Sequence, residues 1–98
     1  MAWILRVTHR VPYGNKQEYQ QLAKKLFGEL EKGEGVEHLG SYRVAFGNSK
    51  EYMHLLKFEK LADYENVHVP PACRVLKKLQ DSNLFDESYW EWLRPLGS

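Results

Sequence analysis

The chain has little net charge, one cysteine and no long apolar run. Fourteen Lys and Arg stand against thirteen Asp and Glu, a formal net charge of +1, so it lacks the sequence-wide field that gathers nucleic acid or an anionic lipid surface. Neither partner is expected. Cys73 is the single cysteine, which removes an intramolecular disulfide and any Cys-pair zinc ribbon and points to a reducing, cytoplasmic compartment. Near the start of the chain Arg6, His9, Arg10, Lys16 and Glu18 interrupt the apolar residues. Neither a signal-peptide core nor a membrane span is read there, and a soluble, non-exported protein is expected. Internal repeats, low-complexity tracts and linkers are missing as well.

What is present is the material of one packed domain. Ninety-eight residues, 43% of them hydrophobic, supply one core without staples and are too few for two, so residues 1–98 are read as a single domain. Ala2 to Val11 alternates, with Trp3, Leu5, Val7, His9 and Val11 on one face, as a strand does. Pro12, Gly14 and Asn15 break it, and Asn15 suits a helix N-cap. Tyr19, Leu22, Ala23, Leu26, Phe27 and Leu30 then recur at helical spacing as one apolar stripe, which Gly33 and Gly35 terminate.

Period 2 returns from Val36 to Phe46. Gly47 to Lys50 is a turn, and Tyr52 to Phe58 a third strand, so the two strands are expected to form a hairpin; the register assumed places Val44 opposite His54. Leu61 to Val67 is helical in composition, Pro70 and Pro71 interrupt it, and Ala72 to Leu79 resumes. Ser88 to Leu96, bearing Tyr89, Trp90, Trp92 and Leu93, is a last strand. The β-α-β-β-α-β order predicts an α+β, ferredoxin-like sandwich, an antiparallel sheet in order 4-1-3-2 with both helices on one face. Either strand register leaves large side chains on the other face: Trp3, Leu5, Tyr42, His54, Trp90 and Trp92 in one, Ile4, Leu39, Met53, Leu55 and Leu93 in the other. A second copy of the chain is expected to cover that face, because soluble monomers tolerate only small apolar patches.

On these features the sequence resembles the dimeric α/β-barrel superfamily: the element order, the opening strand followed by Pro12-Tyr13-Gly14-Asn15 and a long helix, and the terminal Trp-bearing strand. The stretches Tyr42 to Gly47, Glu51 to Phe58 and Leu61 to Tyr64 are most similar to the NIPSNAP group, with Leu56 standing where many members carry tryptophan. The resemblance implies a homodimer pressed together through its sheet faces around an enclosed interior. It also implies a place among proteins that include cofactor-independent monooxygenases, cyclases and isomerases along with members of no established activity. Fold alone does not choose among these. Plant cyclases of this fold place a tyrosine and a histidine around a His-Pro segment after the third strand. Tyr64 and His68, ahead of Pro70, stand in a comparable segment, but Ala72 and Cys73 occupy the position of the cyclase's catalytic histidine.

The candidate chemical residues are His54, His68, Tyr64 and His9. His9 and His54 fall on faces that can coincide, as an acid/base pair, a metal-holding pair or hydrogen-bonded interior histidines. No carboxylate at ligand spacing joins them, and neither a metal nor a tightly held cofactor is expected. Trp3, Trp90, Trp92 and Tyr42 are candidates for stacking a planar ligand, with core or dimer packing as the alternative. Arg6, Arg10, Arg43 and Arg94 are rim or interface charges, or else an anion clamp. Any pocket is expected between the sheet and the Tyr64 to Cys73 segment, since the two prolines prevent a continuous helix from sealing it. Three functions remain open: a homodimeric enzyme acting by acid/base chemistry on a small hydrophobic or aromatic molecule, a non-catalytic ligand-binding or assembly domain, and, as the weakest reading, a haem or metal binder using a histidine.

Overall fold

In the computed structural model, which describes residues 2–44, 50–67 and 70–96, the elements run β1 (Trp3–Arg10), α1 (Lys16–Leu30), β2 (Val36–Arg43), β3 (Glu51–Phe58), α2 (Pro70–Asp81) and β4 (Glu87–Leu93). Short 3-10 turns lie at Tyr13–Asn15 and Leu61–Val67. All pairings are antiparallel, and the sheet order β2-β3-β1-β4 is the expected 4-1-3-2 order read from its other edge. The fold is ferredoxin-like. No helix among the described residues is long and apolar enough to cross a membrane.

The apolar stripe of α1 becomes the centre of the core, with Tyr19, Leu22, Ala23, Leu26, Phe27 and Leu30 all buried. Against it pack Leu5, Val7 and His9 of β1 and Tyr52, His54, Leu56 and Phe58 of β3, also buried. Asn15 stands at the N-cap position without making a side-chain cap bond. Instead its Nδ2 donates to the Leu84 carbonyl at 3.2 Å, so it ties the helix start to the loop before β4. After α1 the chain reverses at Gly35, whose φ of +78° and contact with the Asp63 carboxylate leave no place for a Cβ.

Three expectations change. The helix α2 starts at Pro70 and Pro71 rather than at Ala72, because proline in the first turn gives up only an N–H that would lack a helical partner anyway. Strand β4 ends at Leu93, short of Leu96. The tryptophans do not lie on the uncovered face. Trp92 pairs with Leu5 and Trp90 with Val7, so they share the helix side of the sheet, where Trp3 meets Trp92 edge-on at 6.5 Å. The uncovered face instead carries Ile4, Tyr42, Met53, Leu55 and Leu93, with the Arg6–Glu91 ion pair at 2.6 Å among them.

Strand β2 holds the largest departure. A β-bulge lies between His38 and Gly40, so one extra residue is absorbed and the alternation changes phase. Ser41, not Val44, stands opposite His54. Ser41 and Arg43 therefore turn to the helix side together with His38, while Tyr42 turns away. Of the expected hairpin turn, residues 45–49 lie outside the described residues.

Candidate functional site

The phase change on β2 completes a string of polar groups through the core. The His9 Nδ1 lies 2.6 Å from the Tyr19 hydroxyl. That hydroxyl lies 2.8 Å from His54 Nε2. His54 Nδ1 in turn lies 2.7 Å from Ser41 Oγ, and Ser41 Oγ lies 2.9 Å from His38 Nε2. Four elements contribute: β1 supplies His9, α1 Tyr19, β3 His54, and β2 both Ser41 and His38. Aromatic rings fix the imidazole planes, with Phe85 stacked on His9 at 4.4 Å and Phe27 on His54 at 4.1 Å. Phe27 also stacks on His38 at 5.2 Å.

Burial sets the charge of this string. It pushes His9 down to about 4. It pushes His54 down to about 3, reinforced by the neighbouring His9 and His38. Burial, with Tyr52 beside it, raises the Tyr19 phenol. At neutral pH the inner members are thus uncharged. Heavy-atom geometry then admits two complete proton arrangements. In one, His38 donates to Ser41, Ser41 to His54, His54 to Tyr19 and Tyr19 to His9; in the other, every bond is reversed. Passing from the first to the second takes up one proton at His38 and releases one at His9, leaving no ion inside.

The outer end of the string opens on a cleft of about 520 Å³ between α1 and β2, lined among others by Tyr19, Ala23, Ser41, Arg43, Tyr52 and His54. Gln20 frames one end, its Nε2 donating to the Tyr52 hydroxyl at 3.0 Å. This is not where a pocket was expected. Beneath the Tyr64 to Cys73 segment the described residues enclose a small apolar void of about 40 Å³, bordered by Leu26, Leu56, Tyr64, Cys73 and Trp90, far smaller than the α1–β2 cleft.

The candidate residues accordingly divide. His9 and His54 come together, bridged by Tyr19, and His54 borders the cleft. Tyr64 is elsewhere, packed on Phe58 and Trp92 with ring centroids 5.9 and 5.4 Å away. His68 lies outside the described residues. Trp3, Trp90 and Trp92 do not line the cleft, and Trp3 carries Arg94 over its ring at 4.5 Å. Tyr42 borders it from the rim. Tyr19, Ser41 and His38 were missed as site residues. Tyr19 counts as apolar in a periodicity argument, and only the bulge brings Ser41 inward. Among the described residues no three His, Cys, Asp or Glu side chains gather as a metal site.

No protein-family model matches the chain, and no curated protein matches it in sequence. Solved structures match its fold closely. A NIPSNAP family protein from Agrobacterium tumefaciens is 17% identical with a TM-score of 0.80, the match covering 99% of this chain and 95% of that one. A NIPSNAP-like domain protein from Burkholderia xenovorans is 15% identical with a TM-score of 0.76, covering 98% and 86%. A Bacteroides thetaiotaomicron protein described as a possible oxidoreductase is 17% identical with a TM-score of 0.78, covering 94% and 95%. The chain therefore shares the ferredoxin-like fold of NIPSNAP proteins.

Proposed function

We propose that this NIPSNAP-like protein binds a small hydrophobic, aromatic or carbonyl-bearing molecule in the α1–β2 cleft and exchanges protons with it through the string from His38 to His9. The observation that carries the reading is the unbroken run of hydrogen bonds of 2.6 to 2.9 Å from the core to the cleft. His54 is not the terminal base, because both its nitrogens are engaged and a proton held there alone would place a charge where burial resists it most. Ser41 and His38 meet the ligand. His54, Tyr19 and His9 relay behind them by exchanging tautomers, which avoids a buried charge. Isomerisation or cyclisation of an enolisable carbonyl compound needs only this. The relative described as a possible oxidoreductase favours a second reading, oxygenation by molecular oxygen that begins with the same deprotonation.

A second copy of the chain completes the reading. The uncovered sheet face presents Ile4, Tyr42, Met53, Leu55 and Leu93, a surface suited to a homodimer interface above about 2,000 Å². Sedimentation is expected to show a dimer at micromolar concentration, and a stable monomer overturns that part.

The site is tested by native mass spectrometry of the purified protein and of Tyr19→Phe, followed by deuterium uptake into any retained ligand in heavy water. Wild type is expected to label its ligand, and Tyr19→Phe to hold the ligand without labelling it, since the phenylalanine cuts the string at its middle. Equal labelling by both proteins refutes the relay. Retention without labelling by either one makes this a binding domain whose histidines are structural.

A further inference from the structure

The bulge on β2 turns Arg43 toward the helices, opposite Tyr52, at the end of the cleft where Gln20 meets the Tyr52 hydroxyl. Lys24, one helical turn after Gln20, lines the same cleft. Neither cation has an ion-pair partner among the described residues. Glu31 is the one acidic side chain lining the cleft among those residues. It lies seven residues beyond Lys24, about 10 Å along the helix axis, toward the end where Phe27 stacks on His38. The cleft is thus polarised, with unpaired positive charge at one end and the relay's outlet nearer the other.

Gly28 adds an independent observation. It lies inside α1 and borders the cleft, although glycine in a helix interior is about 1 kcal/mol less favourable than alanine. A Cβ built there meets no heavy atom within 4 Å. Packing within the chain therefore gives no reason for a glycine, and the bare stretch of helix it leaves is a wall along which a flat molecule can lie.

We infer that the ligand is a small planar carboxylate, its anionic group held by Arg43 and Lys24 and its apolar body lying along α1 past Gly28 toward Ser41 and His38. This rests on the cleft being the ligand site. A guanidinium presents paired donors to a carboxylate, and at an exposed mouth the gain is modest and screened by salt.

The probes are 2-naphthoate and its uncharged counterpart 2-naphthamide, titrated into the full chain at low ionic strength and followed by amide chemical shifts. Naphthoate is expected to bind about fivefold to tenfold more tightly, with the largest shifts around Ser41, Arg43 and Tyr52. Arg43→Gln, an exposed change with no partner to lose, is expected to bring naphthoate down to the affinity of naphthamide while leaving naphthamide unchanged. Gly28→Leu is expected to weaken both by filling the wall. Equal affinities of the two probes for the wild-type protein overturn the carboxylate assignment and leave the cleft standing. Failure of either probe to shift cleft residues overturns the cleft reading, and this inference with it. Tighter naphthoate binding that survives both substitutions overturns the placement on Arg43 and Gly28.

Discussion

Acidification from about pH 7 to about pH 5 is expected to weaken the fold by about 4 kcal/mol through His9 and His54 alone. In the unfolded chain both imidazoles take up their protons near 6.5, whereas in the fold burial holds them at about 4 and about 3. Between those limits only the unfolded state binds the protons, so unfolding becomes easier as pH falls. The contribution is complete above about 6.5. It shrinks by about 1.4 kcal/mol per pH unit per histidine and stops shrinking once the folded groups themselves titrate. At about pH 5, some 1.5 units below the unfolded value, each histidine accounts for about 2 kcal/mol. Against a typical total of about 5 to 15 kcal/mol this is a large share. Urea unfolding followed by circular dichroism reads it directly: with a slope of about 1 to 3 kcal/mol per molar, the midpoint falls by roughly 1.5 to 4 M. His54→Gln removes one of the two histidine contributions and isolates it from every other titrating group. Its pH dependence over this window is expected to be shallower than wild type by about one proton. Parallel curves for the two proteins would show that His54 gains its proton in the folded state and that the string is not held uncharged by burial.

Two predictions concern packing. Leu26, 1% exposed at the centre of the α1 stripe, is expected to cost about 2 to 5 kcal/mol when changed to Ala, while Lys24→Ala stays within about 0.5 kcal/mol; equal denaturation midpoints would refute the helix phase. Gly35→Ala is expected to destabilise by more than about 1 kcal/mol, since it combines a left-handed φ with a collision against the Asp63 carboxylate. A thermal midpoint unchanged by Gly35→Ala refutes it.

Much of the architecture was legible because burial imposes simple periods. The six stripe residues of α1 are the six it buries, and the strand order follows from the chain of elements. The site was less legible, for reasons specific to its residues. His9 and His54 were brought to one face by alternation, but nothing in the alternation indicates that a phenol from α1 stands between them. On β2, alternation continues smoothly through Gly40 in the sequence, so a phase change there leaves no mark in the pattern. The prolines misled in a different way. Pro70 and Pro71 read as an interruption opening a pocket, yet they begin α2, and the void that the described residues enclose beneath them is small and apolar. Trp90 and Trp92 read as a face in need of a partner, although their exposure of 42% and 39% arises on the helix side of the sheet.

The extra residue between His38 and Gly40 also makes β2 a strand with two reading frames. Upstream of it, odd and even positions face one way; downstream they are exchanged, and the boundary is a single residue wide. Deleting Leu39 would remove the extra residue and leave Gly40 opposite Leu55, so Ser41 and Arg43 would stay on the helix side along an unbulged ladder, whereas pairing Leu39 in a regular ladder would send Ser41 and Arg43 outward and bring Tyr42 in. The bulge itself thus separates a cleft with a proton outlet and a cationic end from a cleft walled by a tyrosine. When this chain is matched to distant relatives of the same fold, the placement of a one-residue gap at this point decides which side chains are compared as the site.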